Sequence, residues 1–468
     1  MLAPSIVNIS SSLVYRKLFS VGKNTCKFYS SQMSPRICIV GSGPAGFYAA
    51  QHLLKALPNA VIDMYEKLPV PFGLVRYGVA PDHPEVKNVI NSFTKTASHS
   101  NFNFVGNVNL GVDVLFRDLK NAYHGIVLAY GCSEEKKLGI KGEDKTLSAR
   151  RFVGWYNGLP DDKDLKINLD SEEVLIIGQG NVAIDVARII LTPLDILKKT
   201  DITAYALEIL SKSKVKKVNL VGRRGPLQVA FTIKEFREMT KLPGVNTLIK
   251  PSDLAGLEDI LPDLPRPRKR LTELLLKTAQ CEQSGDGKVF CPSFFLKPYE
   301  IVFDNNIKGV KFNLNVVKDN LKGIVESTNN FKEIPCNMCI SSVGYKGVKI
   351  DSDVPFNDET GTVNTQLGVY GSGWISTGPV GVILSTMNNA FQQASLLAND
   401  IQTKKINVEE KKQGYESIKK ILVKKGVQVV SFEGWRKIDK VEIEKGEKVG
   451  KPREKIVDIE EMLKIGGE

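Results

Sequence analysis

The sequence predicts an α/β protein built around two parallel sheets. Two glycine-rich segments indicate this fold, residues 41–46 and 178–183, because each follows a short apolar run and precedes a segment of helical composition. A further apolar strand comes after each unit, as in β–α–β arrangements with parallel strands. The 468 residues, 42% of them hydrophobic, are enough for two or three domains with separate cores.

The first unit has the pattern G-x-G-x-x-G after the apolar run 36–40. Gly41 permits a tight turn, Gly43 lets the backbone approach a pyrophosphate, and Gly46 lets the helix pack closely on the strand. Free N–H groups at the start of the helix favour the same phosphates. Glu66 ends the second strand, where its carboxylate can accept hydrogen bonds from ribose hydroxyls and would repel a 2′-phosphate. This unit therefore predicts a site for FAD or NAD.

Residues 1–33 predict a mitochondrial transit peptide that is removed from the mature protein. They are rich in Ser, contain four basic residues and lack acid entirely. A disordered basic tail is the alternative. The rest of the chain carries 60 basic and 52 acidic residues, a net charge of +8. That excess fits an acidic partner, anionic cofactors, a membrane surface or simply a soluble basic surface. No run of 18 apolar residues is present, so we expect no transmembrane helix.

Residues 68–84 are rich in Pro and Gly and predict an irregular, rigid loop that wraps the cofactor. Asp82 and His83 are its only titratable pair, and two interpretations stay open. The pair could polarise or relay protons near a redox ring, or it could be a turn-capping Asp beside a surface His.

Further elements extend the first sheet and lead out of it. The pattern predicts a helix over 85–97, strands near 102–105 and 108–114, and a glycine-ended strand over 123–131. The charged run 134–137 predicts an exposed linker.

The second unit follows the strand 174–177 and has the accepted variant G-x-G-x-x-A, with a helix over 184–191. The strand 218–221 then leads into Arg223 and Arg224. Guanidinium groups are always charged and match phosphate oxygens in bidentate fashion. This unit therefore predicts NADP in place of NAD.

A dense basic segment, 266–270, precedes a predicted helix over 271–279. An acidic protein partner fits it better than nucleic acid, because no nucleic-acid motif or aromatic platform accompanies it. Antiparallel strands are predicted over 297–303 and 309–317.

Seven scattered cysteines indicate a reducing compartment. Only Cys336 and Cys339 have C-x-x-C spacing, as a redox dithiol or half a zinc site would. The segment runs directly into a buried strand over 340–344, so a structural role is the favoured interpretation, and no metal site is predicted.

The strand 369–374 and a Gly/Pro loop open a helix that ends near residue 401. Such a helix start directs free N–H groups at an anion, for example the reduced edge of a flavin. Trp374 could cover a ring there or pack in the core. The tail 408–468 is charged and amphipathic.

Together these motifs resemble the adrenodoxin reductase family, the mitochondrial NADPH:ferredoxin oxidoreductases. The resemblance covers residues 34–468 and rests on the two fingerprints, the loop 71–84, the Gly222–Pro226 and Arg266–Arg270 segments, the loop 374–383, and Gly450–Lys455. It implies a fold of the disulfide-reductase type with a discontinuous FAD domain, residues 34–134 and 339–468, around an NADP domain, residues 135–338. It also implies transfer of electrons from NADPH through FAD, singly, to a [2Fe–2S] ferredoxin in the mitochondrial matrix, with peripheral association with the inner membrane left open.

The resemblance also implies individual site residues. Those at FAD are Ala45, Glu66, Leu74, Leu110, Trp374, Gly381, Val382 and Ile383. Those at NADP are Gln179, Gly180, Asn181, Val182, Arg223, Arg224, Glu235 and Gly381. Asp82 and His83 match the family's active-site loop, and Lys55, Arg237, Arg266 and Arg270 would face the acidic ferredoxin.

Two departures from the family pattern are visible: the basic residue often found before its Gly-Pro is missing, and Cys336-x-x-Cys339 is added. The alternatives are an NADPH-dependent disulfide reductase using these cysteines and a nucleotide-sensing module without chemistry.

Overall fold

A computed structural model of the chain describes residues 34–281, 285–319, 321–381 and 383–467. The predicted transit peptide and the cofactor candidate Val382 lie outside these ranges. In chain order the strands are β1 (Arg36–Val40), β2 (Val61–Glu66), β3 (Phe102–Gly106), β4 (Gly125–Leu128), β5 (Glu134–Glu135), β6 (Leu147–Ser148), β7 (Glu173–Ile177), β8 (Lys217–Val221), β9 (Val245–Thr247), β10 (Lys288–Ser293), β11 (Leu296–Phe303), β12 (Ile307–Asp319), β13 (Ile324–Pro335), β14 (Met338–Ser341), β15 (Tyr345–Lys346), β16 (Phe356–Asn357), β17 (Thr362–Val363) and β18 (Val369–Gly371).

The helices connect and cover these strands. They are α1 (Pro44–Ala56), α2 (Gly73–Tyr77), α3 (Pro84–Lys87), α4 (Val89–Ala97), α5 (Phe116–Ala122), α6 (Ala149–Asn157), α7 (Asn181–Leu191), α8 (Leu194–Leu197), α9 (Ala204–Ser211), α10 (Ile233–Met239), α11 (Leu257–Ile260), α12 (Arg266–Ala279), α13 (Trp374–Thr377), α14 (Ile383–Gln402), α15 (Tyr415–Lys424), α16 (Phe432–Glu447) and α17 (Ile459–Gly466). None of the helices in the described part of the chain is long and apolar enough to cross a membrane.

The first sheet is parallel throughout and has the order β18-β4-β1-β2-β3. Its central strands are apolar and almost fully buried, as expected for strands covered on both faces. Strand β18 adds to the edge beside β4, so the chain after residue 369 returns to this sheet. The long helix α14 then packs along α1. An α/β fold with parallel sheets is confirmed.

The second sheet is also parallel and has the order β6-β14-β7-β8-β10-β9. Strand β14 pairs with β7 in this sheet, and the predicted domain division after residue 338 falls inside it. We propose a division after Ser341 for this reason. The chain passes between the sheets at a two-stranded ribbon in which β5 pairs with β15. The run predicted as an exposed linker therefore begins in a paired strand.

An antiparallel sheet of β11, β12 and β13 lies in the chain between β10 and β14, which are both strands of the second sheet. The first two strands were predicted, but the third was missed. Strand β13 is mostly polar and exposed, so it lacks the apolar alternation that indicates a strand.

Several other local predictions were wrong in ways that backbone geometry explains. No strand forms over 108–114, because Asn107 and Gly111 have positive φ angles of 61° and 88° and turn the chain. The predicted helix over 85–97 is divided into α3 and α4, with Asn88 between them. The loop 68–84 contains the helix α2. The basic segment does not precede α12 but forms its first turns.

Candidate active site

The glycine turn at the start of α1 has the geometry that a bound pyrophosphate needs. Gly41 has a φ of 103°, and a Cβ on Gly46 would collide with the carbonyl oxygen of Gly41. No described residue other than the chain neighbours of Gly43 has an atom within 4 Å of the place where its Cβ would be, so open space lies in front of the turn. The first bond of α1 runs from Phe47 N to Gly43 O, so the N–H groups of Ala45 and Gly46 have no acceptor within the helix and can bind an anion.

Glu66 lies beside this turn, but its carboxylate is already engaged. One oxygen accepts hydrogen bonds from Ser42 N at 3.0 Å and Ser42 Oγ at 2.7 Å, and the other accepts from Leu68 N at 3.1 Å. A carboxylate offers about four acceptor positions, so capacity for a ribose hydroxyl remains. The sequence alone did not indicate that Ser42, the second residue of the fingerprint, orients this carboxylate.

The starts of α1 and α14 lie close together. A Cβ on Gly373 would come within 2.5 Å of Ala45 Cβ at the start of α1 and within 3.4 Å of Thr386 in the first turn of α14. Gly373 N also donates to Asn389 Oδ1 at 2.7 Å. Two helix N-termini at one place make a strongly favourable site for anionic groups. The predicted residues Ala45 and Ile383 are thus brought to one region.

Orphaned polar atoms border this region. Ser372 Oγ and Trp374 Nε1 are buried and have no hydrogen-bond partner among the described residues. Buried polar groups of this kind normally have a partner, which a ligand can supply. Leu74 is 45% exposed on α2, next to the Gly43 turn through Gly73. Leu110, in contrast, has its side chain in the core, so any cofactor contact there would come from its backbone.

The second glycine turn repeats the same geometry at the start of α7. Gly178 has a φ of 126°, and a Cβ there would collide with Ser342 O, whereas Gly180 faces open space. Gln179 Nε2 donates to Ser293 O at 2.9 Å, and Asn181 Oδ1 accepts from Thr232 N at 2.8 Å. These side chains fix the turn and leave the N–H groups of the first helical turn available.

Arg223 and Arg224 lie directly after β8 and are both exposed. Neither guanidinium has a carboxylate partner in the described ranges, although the chain has many acidic residues. Unpaired arginines at the end of the strand after a glycine turn are suited to bind the 2′-phosphate that distinguishes NADP from NAD.

A buried arginine joins the Asp82–His83 loop to the second unit. Arg188, on α7, donates from Nε to Asp82 Oδ2 at 2.6 Å and also binds Asp185 at 2.7 Å and Glu235 at 3.3 Å. His83 Nε2 lies 2.8 Å from Glu238 Oε2, on α10. Asp82 is thus an ion-pair partner and not a turn cap, and His83 is buried and not a surface residue. The sequence did not reveal Arg188, because nothing local shows which loop a helix residue faces.

The carboxyl groups of this cluster differ in their proton affinity. Burial opposes ionisation of Asp82, but the hydrogen bonds and charge of Arg188 outweigh burial and lower the pKa of Asp82. Burial raises the pKa of Asp185 to about 6, although the charge of Arg188 opposes the shift. One group of the cluster can therefore exchange a proton near neutral pH.

His83, Glu235 and Glu238 have ligand atoms within 4.8 Å of one another, as a metal site would. The same carboxylates already contact Arg188 and Lys234, however. These two cations already balance the charge of the carboxylates, so the cluster is better described as an ion-pair network than as a metal site.

Cys336 and Cys339 do not have the properties of a redox pair. Both are free thiols in the core around the antiparallel sheet. Burial raises the pKa of Cys336 to about 12 and raises the pKa of Cys339 as well. Since the thiolate is the reactive form, these groups are poorly suited to disulfide exchange.

The four predicted docking cations lie on three helices. Lys55 is exposed at the end of α1, and Arg266 and Arg270 are exposed one turn apart on α12. Arg237 is half-buried on α10, which packs against α12. None of these four side chains forms an ion pair with the described residues, so their charges are available to a partner.

A second ion-pair network, which the sequence did not predict, joins distant parts of the chain. Asp201 lies between Lys87 at 2.6 Å and Lys455 at 3.0 Å, and Lys455 is 1% exposed. Close by, Arg76 binds Glu442 in a buried bidentate pair. These contacts fix the C-terminal segment and the α3 segment to the loop before α9.

Comparisons with known proteins agree with this geometry. Residues 35–218 match the family of pyridine nucleotide-disulphide oxidoreductases. The protein named NADPH:adrenodoxin oxidoreductase, mitochondrial, is 47% identical in Salvelinus fontinalis, over 92% of this chain and 91% of its own. The protein of the same name in Mus musculus is 48% identical, over 94% and 93%. Among solved structures, Mycobacterium tuberculosis FprA in complex with NADPH is 36% identical with a TM-score of 0.88, covering 92% of this chain and 99% of that one.

Proposed function

The chain belongs to the NADPH:adrenodoxin oxidoreductase family, and on this premise we propose that it transfers electrons from NADPH through FAD to a mitochondrial [2Fe–2S] ferredoxin. The enzyme is an NADPH-dependent flavoprotein oxidoreductase of the pyridine nucleotide-disulphide type. The identity of the acceptor and the delivery of single electrons go beyond this and are the proposal.

The residues around the first glycine turn fit FAD. The open space at Gly43 and the neighbouring starts of α1 and α14 favour a ligand with phosphate groups. Trp374 Nε1 offers a hydrogen-bond donor to another part of the same ligand. Glu66 would accept the ribose hydroxyls. Gly381, with a φ of 86°, lies just before α14 and would approach the flavin end with Ile383 and Trp374.

The residues around the second turn fit NADPH. The N–H groups of α7 would bind the pyrophosphate, with Gln179, Gly180 and Asn181 forming the turn. Arg223 and Arg224 would bind the 2′-phosphate. Glu235 would lie near the coenzyme at the Arg188 network.

Bound FAD would supply the chemistry that converts the two-electron hydride of NADPH into single electrons, and the residues named above would hold it. The chain holds its two dinucleotide sites in one relative position through the Asp82–Arg188 and Asp201–Lys455 pairs. Asp82 and His83 remain candidates for proton handling there, because the loop that carries them faces the carboxyl group of raised pKa on α7.

The unpaired cations support an acidic protein partner. Arg266, Arg270, Arg237 and Lys55 retain free positive charge on the described surface, which attracts and orients an acidic ferredoxin. The relatives are named mitochondrial, which supports the same location here, with removal of residues 1–33 on import.

The proposal depends most on the two glycine turns, at Gly43 and Gly180, which both face open space. Glu66 lies beside the first turn, and Arg223 and Arg224 follow the next strand after the second. The test is to mix the purified protein with NADPH and a [2Fe–2S] ferredoxin and to follow the visible absorbance of the ferredoxin. Reduction of the ferredoxin by NADPH supports the proposal. Reduction of the flavin without reduction of any [2Fe–2S] ferredoxin would refute the assigned partner and leave the flavoprotein assignment intact.

A further inference from the structure

A cavity of about 350 Å³ lies beside the arginine pair, and the antiparallel sheet forms its other wall. Its lining includes Arg223, Arg224, Lys297, Asn315, Ile324 and Ser327. No function was predicted for this sheet from the sequence, and electron transfer from NADPH to ferredoxin does not require it.

The antiparallel sheet is bound directly to the arginine loop. Asn315 Nδ2 donates to Arg223 O at 2.7 Å, and Phe295 N donates to Arg224 O at 3.2 Å. Ser327 Oγ in turn donates to Asn315 Oδ1 at 2.9 Å, which fixes the buried amide. The two walls of the cavity therefore keep a constant separation, as a preformed binding site requires.

Among the described residues, three cations line this cavity and no acidic side chain does. Lys297 is exposed on β11 and has no ion pair in the described ranges. Two other lysines of the same sheet are neutralised: Lys311 contacts Glu300, and Lys318 contacts Glu326. Lys297, in contrast, adds its free charge to that of the two arginines at the cavity.

The cavity also has an apolar side. Ile324 lies at the start of β13 and is 50% exposed. An exposed aliphatic side chain next to guanidinium groups suits a ligand that has both a flat apolar face and an anionic group. A phosphorylated adenosine has both.

We infer that the antiparallel sheet completes the coenzyme site, with Lys297 as a third cation for the 2′-phosphate and Ile324 against the adenosine. This inference rests on the proposed NADPH-binding function and extends it to residues outside the glycine fingerprint. Lys297 is then a specificity-determining residue that discriminates a 2′-phosphate from a hydroxyl.

The test compares binding of 2′,5′-ADP with binding of 5′-AMP to the FAD-containing enzyme by calorimetry. We expect Lys297→Gln to weaken 2′,5′-ADP by about 5- to 30-fold and to leave 5′-AMP unchanged, because one charge-assisted contact is lost. Lys297→Arg should retain the discrimination. Lys277→Gln is the matched control, since Lys277 is exposed and has no ion pair in the described ranges but lies on α12, outside the cavity.

The outcomes separate this inference from the function it rests on. If the unaltered enzyme prefers 2′,5′-ADP but Lys297→Gln keeps that preference, the inference is wrong and NADPH binding stands. If the unaltered enzyme binds both probes equally, the NADPH site itself is misassigned. If Lys297→Gln impairs only ferredoxin reduction, the lysine belongs to the docking surface and the inference is overturned.

Discussion

We expect Arg223 and Arg224 to be the main determinants of coenzyme choice. Changing both to Gln removes two charge-assisted contacts worth about 1.5–3 kcal/mol each, so the Michaelis constant for NADPH should rise at least about tenfold. Turnover with NADH should hardly change. Steady-state kinetics with both coenzymes measure this, with Arg117→Gln as the control, because Arg117 is an exposed arginine on α5. Equal weakening of both coenzymes would show that the pair does not bind the 2′-phosphate.

We expect the two cysteines of the C-x-x-C motif, Cys336 and Cys339, to have a structural role. Their thiols are buried and of raised pKa, so Cys336→Ser with Cys339→Ser should keep NADPH oxidation with any acceptor within about twofold. The thermal midpoint should fall somewhat, because each new hydroxyl is placed in an apolar core. Loss of turnover in a variant that retains FAD would support the disulfide-reductase alternative.

At the scale of one element, helix α12 presents Arg266 and Arg270 on the same face, one turn apart. Changing both to Glu reverses this charge, so electron transfer to ferredoxin should fall by at least about tenfold and lose its dependence on salt. Reduction of a small neutral acceptor should persist, because it needs no docking face.

The matched control for this change is Lys420→Glu with Lys424→Glu. These two exposed lysines lie one turn apart on α15 and are free of ion pairs in the described chain, so net charge and spacing change equally. If both double variants slow ferredoxin reduction alike, total charge and not α12 governs docking.

Elements with local chemical signals could be predicted from sequence. The glycine turns, their strands and the arginine pair are specified by short segments, and the structure has them where the sequence predicted. Strand β13 forms because it pairs with β12, and no strand forms over 108–114 because Asn107 has a positive φ angle. Short sequence patterns reveal neither the pairing nor the backbone angle. The Asp82–Arg188 pair joins residues 106 apart, so only the tertiary fold discloses it.

For the whole molecule, Asp201 is a principal link between distant segments. Burial opposes its ionisation, but the charges of Lys455 and Lys87 outweigh burial and lower the pKa of Asp201. Asp201→Asn would leave the amino groups of Lys87 and Lys455 without their counter-charge, and burial already lowers the pKa of Lys455 to about 7. We therefore expect a loss of up to about 3–5 kcal/mol and a lower thermal midpoint at neutral pH. Asp195→Asn, at a side chain 92% exposed, should change the midpoint little.

The pH dependence has a definite sign. A lowered pKa in the folded state means that Asp201 contributes its full stabilisation above its ordinary pKa of 3.8 and loses it as pH falls towards the folded value. The difference in thermal midpoint between the unaltered protein and Asp201→Asn should therefore become smaller below pH 3.8. If this difference is the same at every pH measured, ionisation of Asp201 does not cause the stabilisation.

We propose that the two dinucleotide sites form one path for electrons. The most direct measurement is the visible absorbance of the purified protein under anaerobic conditions before and after addition of NADPH. We predict a flavin spectrum that bleaches with NADPH and bleaches much more slowly with an equal concentration of NADH. A flavin that stays oxidised while NADPH binds would contradict the account, because the sites would then be occupied without electron transfer between them.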